Sequence, residues 1–202
     1  MIQNIDRQVL AKKAHAAAVA KGFWDEKHSQ EHYLMFVVMD LSGAVEAHQV
    51  SHRADYAAHK RALIDPESTE GIIARSMGED LINEIAFEEH IAYTLEDKLA
   101  DAYIRLLDFA EEFGYDVSPD DFFLENREHI ASLVKSVSFP DNIFRIAAGI
   151  GKEHFEDNTA QGCSFVLSAL ELLAEFEDID LLWHIEEKMR YNETKQTQEA
   201  IR

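Results

Sequence analysis

The chain has 202 residues, with 19 basic and 39 acidic side chains and a net charge of −20. Apolar residues make up 47%, so a chain of this length can bury roughly 70% of its unfolded surface in one core. The acidity repels phosphate backbones and anionic lipid, which excludes nonspecific nucleic-acid binding and an anionic membrane surface. With 8 glycines and 3 prolines the chain has few turns, which disfavours an all-β sandwich and favours long helices. The single cysteine, Cys163, excludes an internal disulfide framework and reads as a small buried residue. No basic segment leads into an apolar run at the start, and no run of about 18 uncharged apolar residues occurs. A cytoplasmic protein is expected.

In chain order, residues 5–20 are alanine-rich and predict a first helix that stops near Gly22. Phe23 and Trp24 follow as a bulky loop pair. Ser29, with Glu31 close behind, predicts the cap of a second helix running through Leu34, Val37, Leu41 and Val45. Residues 34–39 are β-branched enough for a strand, but no turn signal bounds them before Arg53, and helix is preferred. Residues 64–78, with Pro66 and two glycines, read as a loop. From Glu79 to Ala110 the apolar period is helical without interruption, and Gly114 is the expected stop. Pro119 predicts the first turn of a further helix. More helices are expected at 125–136, 141–155, 161–176 and 180–191. The expected architecture is one all-α domain over residues 1–202, a helical bundle of seven or eight helices.

Glycine-rich phosphate loops and serine-nucleophile elbows are absent. His28/His32 and His48/His52 are i,i+4 pairs that could share a zinc ion on one helix face, though neither sits in H-E-x-x-H. Carboxylates on two long helices are more informative. Spacing i,i+3 places them on one face, and oxygen ligands suit magnesium. The relevant frames are Asp40-Leu41-Ser42-Gly43-Ala44-Val45-Glu46 and Glu96-Asp97-Lys98-Leu99-Ala100-Asp101.

These frames carry a resemblance. Together with Lys21-Gly22-Phe23-Trp24, Arg53-Ala54-Asp55, residues 87–91, the stretch 95–108 and the closing 183–192, the sequence is similar to the MazG-like all-α nucleoside triphosphate pyrophosphohydrolases. The resemblance implies Mg²⁺-assisted attack of water on a nucleoside triphosphate, giving a monophosphate and pyrophosphate. It also implies a homodimer. The family motif is E-E-x-x-E on one helix and E-x-x-D on a later one. Here it falls on residues 39–43 and 98–101, where Asp40 and Asp101 survive and Gly43 and Lys98 lack the carboxylate.

The implied catalytic set is therefore Asp40, Asp101 and Lys98. The implied metal set is Asp40 and Asp101, with Asp97 and Glu46 as replacements, although Glu46 lies about 60° round the helix from Gly43. A weakened Mg²⁺ site is expected, since affinity follows ligand count and charge. Two courses are open to Lys98: an ion pair with Asp40 or Asp101 in the metal's place, or an excursion into solvent. Trp24 could stack on a base and Arg53 could pair with phosphate. For Trp24 the alternative is packing on the first helix. Lys188, Tyr191 and Asn192 match the family's closing signature and complete the implied nucleotide-binding set. The other reading is a protein without catalysis, one that binds nucleotide or serves as a helical interaction subunit.

Overall fold

The computed structural model describes residues 5–64, 72, 79–119, 121–151 and 159–200. Among these residues there is no strand, and ten helices occur. They are α1 (Arg7–Ala20), α2 (Gln30–Gln49), α3 (Tyr56–Ile64), α4 (Glu79–His90), α5 (Leu95–Glu112), α6 (Asp121–Glu125), α7 (Arg127–Lys135), α8 (Phe139–Ile150), α9 (Thr159–Phe176) and α10 (Leu181–Ala200). No helix among the described residues is long and apolar enough to cross a membrane.

Local chemistry sets most helix ends. Asp6 caps α1 by accepting from the Val9 N–H, and Ser29 caps α2 by accepting from His32. After α1 the chain turns at Gly22, whose φ of 72° suits a residue without Cβ, and the Phe23 N–H closes the turn on the Ala18 carbonyl. Gly114, at φ 68°, ends α5 in the same way.

The uninterrupted helix expected from Glu79 to Ala110 is two helices. The break at 91–94 contains neither glycine nor proline. Tyr93 adopts φ 63°, and the Ala92 N–H donates to the Phe87 carbonyl, which closes α4. Thr94 then caps α5, with its Oγ1 accepting from Asp97 N, while Asp97 Oδ2 accepts from Tyr93 N. This reciprocal pair satisfies donors that a new helix would leave bare. The short α3 was not anticipated, because Tyr56-Ala57-Ala58-His59-Lys60-Arg61 has no apolar stripe. The helix expected at Pro119 starts later, at Asp121. The 125–136, 141–155 and 180–191 expectations correspond to α7, α8 and the longer α10. Most of the loop expected at 64–78, and the end of the 141–155 segment, lie outside the described residues.

α5 is the central element. Twelve of its eighteen residues are buried, and it packs on α1, α2, α9 and α10. Leu99, Tyr103, Leu106 and Leu107 meet Val37 and Leu41 of α2, Leu10 of α1, and Leu167 and Leu170 of α9 in one apolar cluster. Cys163 lies in that cluster, and burial pushes its thiol up to about 12. α3 and α4 pack on each other, and α4 also packs on α10.

His59 of α3 and His184 of α10 are both buried. Burial pushes each down from 6.5 to about 4, with His90, Arg190 and His184 adding to the effect at His59. In the unfolded chain both protonate as the pH falls through 6.5, while the folded chain resists until about 4. Their neutral forms therefore favour the fold above pH 6.5, and that contribution, about 3 kcal/mol each at most, is lost between 6.5 and 4. NMR titration of the histidine ring protons is expected to place both midpoints near 4. Midpoints near 6.5 would show that neither ring is excluded from water.

Candidate functional site

Three helices bring six charged side chains together. Asp40 comes from α2, where it is the buried polar position in an otherwise apolar face. Asp97, Lys98, Asp101 and Arg105 lie along α5 at helical spacing, and Lys188 reaches in from α10. Lys188 Nζ donates to Asp97 Oδ1 at 2.7 Å and to Asp101 Oδ2 at 2.9 Å. Lys98 Nζ lies 3.5 Å from Asp40 Oδ1 and 3.7 Å from Asp101 Oδ2. Arg105 Nε donates to the other Asp40 oxygen. Phe36 and Phe23 sit 5.5 and 5.9 Å from the Arg105 guanidinium, which holds its flat face against aromatic rings.

The cluster carries three carboxylates and three cations, so it is neutral in sum. Two of its carboxylates are scarcely wet: Asp97 is 2% and Asp40 8% exposed. Burial raises the Asp40 carboxyl, helped by the Asp101 charge and opposed by Arg105 and Lys98. Burial likewise raises Asp97, against the pull of Lys188. For Lys188, burial acts downward, but the two carboxylates outweigh it and its pKa stands above the ordinary value.

Of the two courses open to Lys98, the structure takes the ion pair. Its stem also answers for Gly43. A Cβ built on Gly43 would lie 3.0 Å from Lys98 Cδ and 3.4 Å from Cε. The glycine leaves the room that the lysine stem occupies, so Gly43 and Lys98 fit one another across the two helices.

Magnesium does not suit this arrangement. Each carboxylate is already paired with a cation, Gly43 supplies no ligand, and Glu46 is exposed on α2. Among the described residues no group of three or more His, Cys, Asp or Glu side chains is placed to hold a metal ion. Neither histidine pair lies wholly within one helix, as a shared zinc ion on a helix face would require. α2 starts after His28 and ends before His52. The His28 and His32 rings stack on each other with centroids 4.1 Å apart, and His48 stacks on Phe139.

A cleft of about 370 Å³ opens beside the cluster between α1, α5 and α10. Asp101, Arg105, Lys188 and Asn192 line it on one side, and Ala14 and Ala18 form its apolar wall. Tyr191 stands near but is committed elsewhere: its hydroxyl donates to Glu88 Oε1, and its ring stacks on Phe87 at 4.3 Å. Trp24 packs into the fold. It lies 4.2 Å from the Tyr33 ring, near His15 of the first helix, and its Nε1 donates to Asp108. Arg53 is not brought to the cluster. Its Nε donates to buried Glu96 and its Nη2 to the Glu177 carbonyl, which ties the α2–α3 connection to α5 and to the end of α9.

No protein-family model, curated protein or solved structure matches this chain. The site therefore stands on its own geometry. Two members of the cluster were not assigned their places from sequence. Arg105 carried a signal, since it lies i+4 from Asp101 and i+7 from Lys98 on one stripe of α5. Lys188 is separated from Asp101 by 87 residues, and no local pattern joins them.

Breaking the Lys188 bridge leaves buried Asp97 without a cation and Asp101 with only Lys98, 3.7 Å away. Lys188→Met is expected to destabilise the fold by roughly 3–5 kcal/mol at pH 7. The deficit should shrink as the pH falls, because the stranded carboxylates then take up protons more readily than in the unfolded chain. Urea denaturation at pH 7 and pH 5 measures both effects.

Proposed function

We propose that this chain is a non-hydrolysing relative of the MazG-like nucleoside triphosphate pyrophosphohydrolases, a helical binding protein in which ion pairs stand in for the metal centre. The observation that carries this reading is Lys98, whose ammonium lies between Asp40 and Asp101 while its stem fills the space beside Gly43. Phosphoryl transfer to water needs a Lewis acid on the phosphates or fixed positive charge aimed at them. Here all three cations of the cluster are answered by the chain's own carboxylates, so neither a metal nor a free cationic clamp is on offer.

A ligand of the nucleoside or nucleotide class is supported by the cleft beside the cluster. Its alanine wall suits a flat apolar surface, and Asn192 presents both a donor and an acceptor to a base edge. A nucleoside or monophosphate is favoured over a triphosphate, because the Arg105 and Lys188 charges that line the cleft are already paired with carboxylates of the chain. Pairing of two copies belongs to the same proposal. Met35 and Met39 stand one turn apart on α2, 54% and 56% exposed, and form an uncharged strip on a strongly acidic molecule.

The test is a panel of dNTPs, dNMPs and nucleosides, assayed with Mg²⁺ and with Mn²⁺. No pyrophosphate release is expected. A nucleoside or monophosphate should raise the melting temperature, and EDTA should leave that rise unchanged. Saturation at 100 times the Kd corresponds to about 2.7 kcal/mol of added stability. Gly43→Glu combined with Lys98→Glu should restore Mg²⁺-dependent stabilisation, whereas Gly43→Glu alone meets the Lys98 stem. EDTA-sensitive turnover by the unaltered chain would overturn the reading.

A further inference from the structure

A second cleft, of about 560 Å³, lies between the α2–α3 connection, the α9–α10 turn and the start of α10. It shares no lining residue with the cleft beside Lys188, and nothing in the reading above depends on it. Its walls include Arg53, Tyr56, Asp178, Asp180, Trp183 and His184. His184 is 6% exposed, yet its Nδ1 has no hydrogen-bond partner among the described residues. A buried polar atom left bare costs free energy, and such atoms are uncommon in a folded chain. The ring is neutral at pH 7, because burial holds it down to about 4. In the tautomer with the proton on Nε2, Nδ1 keeps an unused lone pair on a residue that lines the cleft.

The other lining groups define what could meet that lone pair. The Arg53 charge is already answered, by Glu96 and by Glu177 at 3.6 Å. Asp178 then adds negative charge at the mouth of the cleft. Asp178 is exposed at the turn with φ 57°. Asp180 uses one oxygen to cap the Trp183 N–H. Tyr56 is 49% exposed and meets the Trp183 ring edge-on at 4.7 Å. Carboxylates and aromatic rings together recognise organic cations, and the net charge of −20 concentrates such cations near the surface. An anionic ligand would face the carboxylates with the Arg53 donors already engaged. A metal ion would lack a ligand set, since no group of three suitable side chains occurs among the described residues.

We propose that this cleft binds a guanidinium or primary ammonium group, held by Asp178 and the aromatic pair, with one N–H donated to His184 Nδ1. The group could arrive on a free small molecule or on a basic side chain of a partner protein. Two probes separate these sources: agmatine, and the blocked tripeptide acetyl-Ala-Arg-Ala-amide. Each is titrated into the full chain in 0.15 M NaCl, and the Trp183 indole N–H is followed by NMR, assigned with a Trp24→Phe variant.

A saturable shift of the Trp183 signal is expected with both probes. Tighter binding of the tripeptide assigns the site to a partner chain, and tighter binding of agmatine assigns it to a free ligand. Asp178→Asn keeps a residue that tolerates positive φ and should weaken binding about threefold, as loss of an exposed charge does. His184→Leu should weaken it about tenfold through the lost acceptor. If His184→Leu does not fold, Asp178→Asn and Tyr56→Ala decide the matter. Absence of a saturable shift up to about 20 mM of either probe overturns the proposal, because even weak specific sites saturate there. Unchanged affinity in every folded variant overturns it equally.

Discussion

The Lys188 ammonium reaches from α10 to the Asp97 and Asp101 carboxylates of α5, and it is the one cation paired with deeply buried Asp97 among the described residues. An isolated carboxylate at this depth would be driven to its neutral form. Asp97 is held from a second side by the Tyr93 N–H, so the same residue that anchors α10 also closes the break between α4 and α5. The bridge thus fixes two things at once: the docking of the last helix and the point at which the central helix begins. Paired burial of this kind adds little net stability over a well-packed apolar core, but it is intolerant of partial loss. Its value lies in defining one register of α10 on α5.

Around that bridge the remaining charges are arranged by subtraction. A metal centre would need excess carboxylate and an open coordination position. Here Lys98 and Arg105 remove the excess, and the Lys98 stem closes the space that Gly43 leaves. An ammonium tethered to the helix cannot be chelated away, and it cannot polarise a phosphoryl oxygen as a divalent ion does. The arrangement keeps the carboxylates ordered by the chain's own cations, and Gly43 and Lys98 meet across facing helices.

Much of this could be read along the chain where the determinant is local. Ser29 as a cap, Gly22 and Gly114 as stops, and the apolar period of α5 all act within a few residues. The break at 91–94 was missed because its signal is a capping pair, Thr94 with Asp97, inside a stretch whose apolar period continues on both sides. Tyr93 takes a left-handed conformation that sequence reasoning reserves for glycine. α3 carries no such signal, because its buried residues are His59 and the small Ala62 and not a stripe of large apolar residues. The site divides in the same way. Helix spacing marked the two frames that hold Asp40, Lys98 and Asp101, and the resemblance alone singled out these three within them. Arg105 was legible on the same stripe. Lys188 and the diversion of Arg53 to Glu96 depend on tertiary placement, which no window of the sequence contains.

The net charge of −20 takes on a different meaning once these charges are placed. It is not spread evenly between surface and interior, because the central cluster sums to zero while the α9–α10 turn does not. Wherever a cation of the chain meets a carboxylate of the chain, an incoming ion finds no unbalanced field to recognise. Where Asp178 stands exposed beside Tyr56, with a bare imidazole nitrogen behind them, the field remains unbalanced and the hydrogen-bonding capacity remains unused. Selectivity in so acidic a protein is therefore decided by which carboxylates the fold leaves unanswered, and the two clefts differ on this point. The first is lined by charges of both signs and discriminates chiefly by shape and hydrogen bonds, and the acidic one can discriminate by sign of charge.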